Sequence, residues 1–201
     1  MGIALMAPRV ASIGTTHPWN VAGVGLDIAI ARTFEVEVFT VVAGVSAQDG
    51  GAVAALHAVP ADVVRAQLEA LPAGELRALR IGALVDARNV RIVAEFVRAY
   101  PEIPAIVDPV LRATGGGRLA DDAAIAALRD DLATAPSVIL TPNLAEAAAL
   151  LDVPAITLEG LAAAAGALRE RGCRAVVLKG GHLSGDPIDA LATSDGVAPS
   201  P

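Results

Sequence analysis

The stretch Ser137-Val138-Ile139-Leu140-Thr141-Pro142-Asn143-Leu144-Ala145-Glu146-Ala147-Ala148-Ala149-Leu150-Leu151 decides the fold. Its opening apolar run is short and stops at Thr-Pro, which reads as a buried strand ending in a turn rather than as helix. Asn143 then stands as an N-cap with Glu146 three places on, the spacing of a capping box, ahead of an Ala/Leu run of helical length. A second Ala-rich helix is expected over 158–171, before Ala175-Val176-Val177-Leu178-Lys179 reads as another buried strand. Two strands joined through helices in this way lie parallel in one sheet, because a parallel return needs a long crossover.

The same alternation extends outward from this unit. Further strands are expected at 9–14, 37–43, 79–84 and 105–108, and further helices at 22–32, 60–71, 87–99 and 121–132. No internal repeat or interdomain linker interrupts them, so residues 1–201 are read as one domain. Right-handed crossovers between such strands give an α/β fold with a doubly wound, mostly parallel sheet and helices on both faces. Ligands of such folds gather at the C-terminal ends of the strands, where the polar clusters of this chain fall.

Composition agrees with this architecture and narrows the partners. The 201 residues are 54% hydrophobic but only 2% aromatic, so Ala, Val, Leu and Ile must build the core, as they do in buried parallel strands and close-packed helices. A formal charge of −7 without clustered Lys and Arg argues against nucleic acid, although local cations and helix N-termini can still hold a small anion. No stretch is long and apolar enough to span a membrane, and the first residues lack the pattern of a signal peptide. The single cysteine, Cys173, has no partner for an internal disulfide and reads as a small buried thiol; a reducing cytoplasm is the expected setting.

Five polar clusters follow the expected strands. Gly14-Thr15-Thr16-His17-Pro18-Trp19-Asn20-Val21-Ala22-Gly23-Val24-Gly25-Leu26-Asp27 leaves the first strand for a helix; its glycines permit close backbone approach, yet a tight turn with Asp27 as a solvated first-turn carboxylate is the simpler local reading. Ser46-Ala47-Gln48-Asp49-Gly50-Gly51 is either a polar turn or a place where the Gln48 amide, both donor and acceptor, meets the edge of a heterocycle. Asp108, at the end of a strand and before Pro109, either opens a turn or organises Mg²⁺. Asn143 and Glu146 are explained by capping, which does not exclude a nucleotide phosphate and metal beside the helix N-terminus. Lys179-Gly180-Gly181-His182 ends the last strand with either a snorkelling lysine or one that reaches a phosphate.

Taken together and in order, these segments resemble the hydroxymethylpyrimidine/phosphomethylpyrimidine kinases, a branch of the ribokinase superfamily. The match rests on Ala22–Asp27 for the family's Ala-Gly-(Ile/Val)-x-x-Asp helix start, Ala47-Gln48 for its substrate loop, Thr141–Ala147 for its Thr-Pro-Asn-x-x-Glu-Ala stretch, and Lys179-Gly180-Gly181-His182. The resemblance implies a ribokinase-like fold and ATP-dependent phosphorylation of hydroxymethylpyrimidine and its monophosphate in thiamine biosynthesis. It implies substrate contacts from Asp27, Gln48, Ala83 and Val110, nucleotide contacts from Asn143, Glu146 and Lys179, and Mg²⁺ at Asp108 and Glu146. ATP and Mg²⁺ are the implied cofactors, and a pyrimidine and a second copy in a homodimer are the partners in view.

The chain departs from the family at defined places. His17-Pro18-Trp19-Asn20-Val21 stands for Asp-Pro-Ser-Gly-Gly, Ala83 for a pocket methionine, and Ser46 for an apolar residue. The Gly-Thr-Gly-Cys segment, whose amides and proposed base act on the transferring phosphoryl group, has no match. A C-terminally truncated fold with binding but little turnover is therefore expected, and no catalytic base is assigned. A pyridoxal-type kinase and a noncatalytic pyrimidine-binding or interaction protein remain as alternatives.

Overall fold

The computed structural model describes residues 7–49, 52–113, 115–181 and 188–200. Nine strands join one sheet: β1 (Arg9–Thr16), β2 (Glu37–Gln48), β3 (Val53–Ala58), β4 (Leu76–Ile81), β5 (Ala105–Val107), β6 (Val138–Leu140), β7 (Ala175–Leu178), β8 (Asp189–Thr193) and β9 (Gly196–Ser200). Their order is β3-β2-β1-β4-β5-β6-β7-β8-β9. The six strands from β2 to β7 are mutually parallel, and β3, β8 and β9 run antiparallel to their neighbours. The chain moves one way from β1 to β2 and the other way from β4 to β7, so the order reverses between β1 and β4.

Among the described residues, six α-helices fill the crossovers: α1 (Gly23–Thr33), α2 (Ala61–Glu69), α3 (Ala87–Ala99), α4 (Asp122–Ala127), α5 (Leu144–Leu151) and α6 (Leu161–Glu170). α4 continues as a π-helical turn over Leu128–Leu132, where 121–132 had been expected to be regular helix. α2 to α6 touch one another in succession and form a single layer, while α1 packs on β1 and β2. Reversal of the strand order puts α1 on the opposite face, since right-handed crossovers running in opposite directions place their helices on opposite sides.

Burial follows the sheet's two faces. Val41, Ile13, Ile81, Val107, Leu140, Val176 and Ala192 lie in register across seven strands, each at most 1% exposed. On the other face the equivalent row is Ser12, Arg80, Ile106, Ile139 and Ala175; Ser12 is buried beneath α1 and the rest are half-buried. The expected mostly parallel sheet is found, with six parallel strands at its centre. The strand expected at 37–43 runs further, and of the two readings left open the polar turn does not hold at Ser46: Ser46 to Gln48 stay in β2, because β3 doubles back and pairs with them.

Candidate active site

Ladder bonds that run just past the strand ends hold the site residues in place. Gly82 N–H donates to Ile13 O at 2.9 Å, Asp108 N–H to Ile81 O at 2.9 Å, Thr141 N–H to Val107 O at 2.9 Å and Lys179 N–H to Pro142 O at 2.9 Å. Each segment is therefore fixed by the neighbouring strand at the point where its own strand stops. Asn143 and Lys179 form one further parallel bridge. Side chains from four parallel strands consequently converge on one rim, as expected at the C-terminal ends.

They surround a cavity of about 750 Å³, within the range of small-molecule sites. Gln48, Ala83, Asp108, Val110, Asn143, Glu146 and Lys179 all line it. Asp27 does not; it accepts a hydrogen bond from Ser12 Oγ at 2.6 Å and lies 3.5 Å from Arg80 Nε. Arg80 does reach the cavity and its Nη2 is 3.7 Å from Asp108 Oδ2. On the far side of Asp108, Lys179 Nζ donates to it at 3.0 Å. The carboxylate of Asp108 is thus flanked by two cations, one of which, Lys179, is 42% exposed and free to turn to a ligand.

Asn143 and Glu146 form the expected capping box. Asn143 Oδ1 accepts from the Glu146 N–H at 2.9 Å, and Glu146 Oε2 accepts from the Asn143 N–H at 2.9 Å. Burial raises the Glu146 carboxyl above its ordinary value, and the Asp108 charge adds to this, while the bond from Asn143 and the Lys179 charge oppose it. Cys173, by contrast, is buried away from the site, and burial pushes its thiol up to about 11; it is the inert thiol that the sequence suggested.

Six polar cavity residues escaped the sequence reading as ligand groups: Thr15, His17, Arg80, Arg112, Arg118 and Asp122. Arg80 carried a signal, a charge between the apolar Leu79 and Ile81 of a strand. Arg112 and Arg118 are bridged across a small hairpin, within which Ala113 N–H donates to Gly117 O at 2.8 Å. A Cβ on Gly117 would lie 2.7 Å from the Val53 side chain, so the glycine-rich tip closes against β3. Trp19, the bulky departure in the first loop, is 62% exposed and is not among the lining residues. Gly23 has a φ of +61° and a Cβ there would meet Thr15 O at 2.2 Å, which explains the need for glycine where α1 starts. His182 lies outside the described residues.

Residues 18–198 match the family model described as phosphomethylpyrimidine kinase. The chain belongs to this family. It is 36% identical over 193 residues to the thiamine biosynthesis multifunctional protein ThiED of Corynebacterium glutamicum, covering 94% of this chain and 25% of that one. It is 34% identical over 193 residues to the hydroxymethylpyrimidine/phosphomethylpyrimidine kinase of Mycobacterium bovis, covering 95% of this chain and 70% of that one. The chain therefore spans a quarter of the first relative and less than three quarters of the second. The solved ADP complex of Bacillus subtilis pyridoxal kinase superposes with a TM-score of 0.84 at 23% identity, over 96% of this chain and 74% of that one. The fold is ribokinase-like.

The phosphomethylpyrimidine kinase family implies a metal-bound nucleotide, and the residues present fit one. Among the described residues no group of three or more metal-ligating side chains occurs. Mg²⁺ needs no such cage, since it is held by one or two carboxylates together with phosphate oxygens and water. Asp108 and Glu146 line one cavity and are close enough for their charges to interact, which is the donor set required. No helix among the described residues is long and apolar enough to cross a membrane.

Proposed function

We propose that the cavity binds hydroxymethylpyrimidine or its monophosphate beside MgATP, and that the γ-phosphoryl group passes to the hydroxymethyl oxygen or to the monophosphate. The observation that carries this reading is that Gln48 and the Asp108–Lys179 pair line one cavity from opposite sides of the point where the strand order reverses. Gln48 offers a donor and an acceptor to the ring's polar edge, with Ala83 and Val110 as apolar walls. Lys179 and the N-terminus of α5 face the nucleotide phosphates, and Mg²⁺ between Asp108 and Glu146 would neutralise their charge. In the transfer, the bond from the γ-phosphorus to the β-phosphate oxygen breaks as the bond to the acceptor oxygen forms, leaving ADP, and the proton of the hydroxymethyl group is released to water. These residues contribute by positioning and charge neutralisation.

The names of the relatives support the pyrimidine, and the ADP complex of a protein of this fold supports the nucleotide. The lone buried thiol supports a cytoplasmic setting. Self-association through an uncovered part of the sheet belongs to the same reading. Isothermal titration tests the assignment directly. Gln48→Ala is expected to weaken hydroxymethylpyrimidine binding about tenfold, the worth of a buried hydrogen bond to a ligand. Glu146→Ala should leave pyrimidine binding nearly unchanged and weaken MgATP. Equal loss from both variants, with both folded, would remove the division of roles; tighter binding of pyridoxal than of the pyrimidine would transfer the site to the pyridoxal-type reading.

A further inference from the structure

We propose that His17 contacts the ligand and determines specificity, its imidazole hydrogen-bonding the polar edge of a flat nitrogen heterocycle. This rests on the reading of the cavity as a pyrimidine site. His17 is only 4% exposed, and neither ring nitrogen has a hydrogen-bond partner. Buried polar atoms are nearly always paired, because leaving one unpaired costs about 1–3 kcal/mol, and each exception calls for a reason. The other unpartnered buried side-chain atoms among the described residues belong to Asn89, Ser137 and Arg169, and none of these residues lines the cavity. His17 does.

The backbone fixes which way the loop divides its side chains. Asn20 N–H donates to His17 O at 3.3 Å and closes a turn, with His17 buried on one side of it and Trp19 exposed on the other. The close seat of Gly23 on Thr15 holds the start of α1 against the same loop. Thr16 is in register with Val45, so His17 and Gln48 leave adjacent parallel strands at the same end of the sheet. This places His17 on the ring side of the cavity, whereas Lys179 and Asp108 belong to strands beyond the reversal point.

The chemistry of the side chain names the ligand class. A neutral imidazole presents one N–H donor and one bare nitrogen acceptor in a plane, the same pair that Gln48 presents. A flat ring with an acceptor nitrogen beside an amino group answers both residues, whereas a carbocycle of the same shape answers neither. Sites built to hydrogen-bond a ligand reject analogues lacking those groups, because their own buried polar atoms are then left unpaired.

The test uses the full chain with hydroxymethylpyrimidine as the probe. His17→Leu is expected to bind it at least about tenfold more weakly and MgATP as the unmodified chain does. His17→Asn, which keeps a donor and an acceptor, should recover most of the loss. In the absence of ligand, His17→Leu should melt at the same temperature or higher, since an unpaired polar group has been removed; a residue with a merely structural role would lower the melting temperature and weaken both ligands. The ¹⁵N resonances of the His17 ring in the unmodified chain should shift when the pyrimidine is added. Loss of binding in Gln48→Ala but not in His17→Leu, with unmoved ring resonances, would overturn the role of His17 and leave the pyrimidine reading standing. No pyrimidine binding by the unmodified chain would overturn both.

Discussion

Glu146 shows how a single residue can serve structure and function with opposite demands. Its carboxylate caps α5, yet burial raises its affinity for a proton above the ordinary value of 4.5. A carboxyl whose folded pKa is raised stabilises the fold fully below its unfolded pKa, and that contribution is lost as pH rises through the folded value. Glu146→Gln keeps an oxygen to accept the Asn143 N–H and removes the charge. Its stability relative to the unmodified chain should therefore be lowest in acid and should grow as pH rises through the carboxylate range to neutrality. Urea unfolding across that range measures this, and MgATP affinity should fall in the same variant. A difference that shrinks with rising pH would show that the charge is welcome in the unliganded site. Which residues were legible follows from the same local logic. Gln48, Asp108, Glu146 and Lys179 each stand at or just past the end of an apolar run, so periodicity located them. Whether a side chain enters the cavity depends on facing and on partners across the sheet. Asp27 is therefore drawn off to Ser12, while Arg80 and His17, not assigned as ligand groups from the sequence, are carried in.

Among the elements, the outer edge of β2 shows how antiparallel and parallel pairing are reconciled. β3 pairs with β2 only from Gly44 onward, which leaves Val42 without a neighbouring strand on that side. Gln67 of α2 supplies one: Val42 N–H donates to its Oε1 at 2.8 Å, and its Nε2 donates to Val42 O at 3.1 Å. Asn89 of α3 ties the hairpin down, donating to Ala43 O and Val59 O at 3.1 Å each. Because Gln48 is carried on the same hairpin, these amides position the ring side of the cavity. Gln67→Leu should cost about 1–3 kcal/mol, two backbone groups losing their partners, seen as a lower urea midpoint with unchanged slope; an unchanged midpoint would mean that water replaces the amide fully. The helices and central strands were legible because helical and buried-strand periods differ. β3, β8 and β9 were not. β3 and β8 are Ala-rich, β3 has no buried position, and β9 contains Gly196 and Pro199, so pairing with a neighbour rather than intrinsic preference makes them strands.

On the scale of the whole molecule the sheet is covered unequally. α2 to α6 form a continuous layer over one face, whereas α1 is the one helix on the other among the described residues, lying on β1 and β2. Beyond it, Ile106, Ile139 and Val177 are half-buried and Leu191 is 37% exposed, with Val177 and Leu191 in register. This row is apolar where a solvated face would alternate with polar groups, and contiguous apolar surface of this kind promotes association. The 201-residue chain is therefore expected to bind a hydrophobic dye and to sediment faster as its concentration rises. Leu191→Lys puts a charge on the row without disturbing the core, so it should change stability by no more than about 0.5 kcal/mol while weakening self-association severalfold. Val63→Lys is the matched control, since Val63 is also exposed, at 45%, but sits on α2 in the opposite layer. Sedimentation velocity on the three proteins decides the matter. Equal association of Leu191→Lys and the unmodified chain would clear the sheet face, and loss of association in Val63→Lys would move the contact to the helical layer.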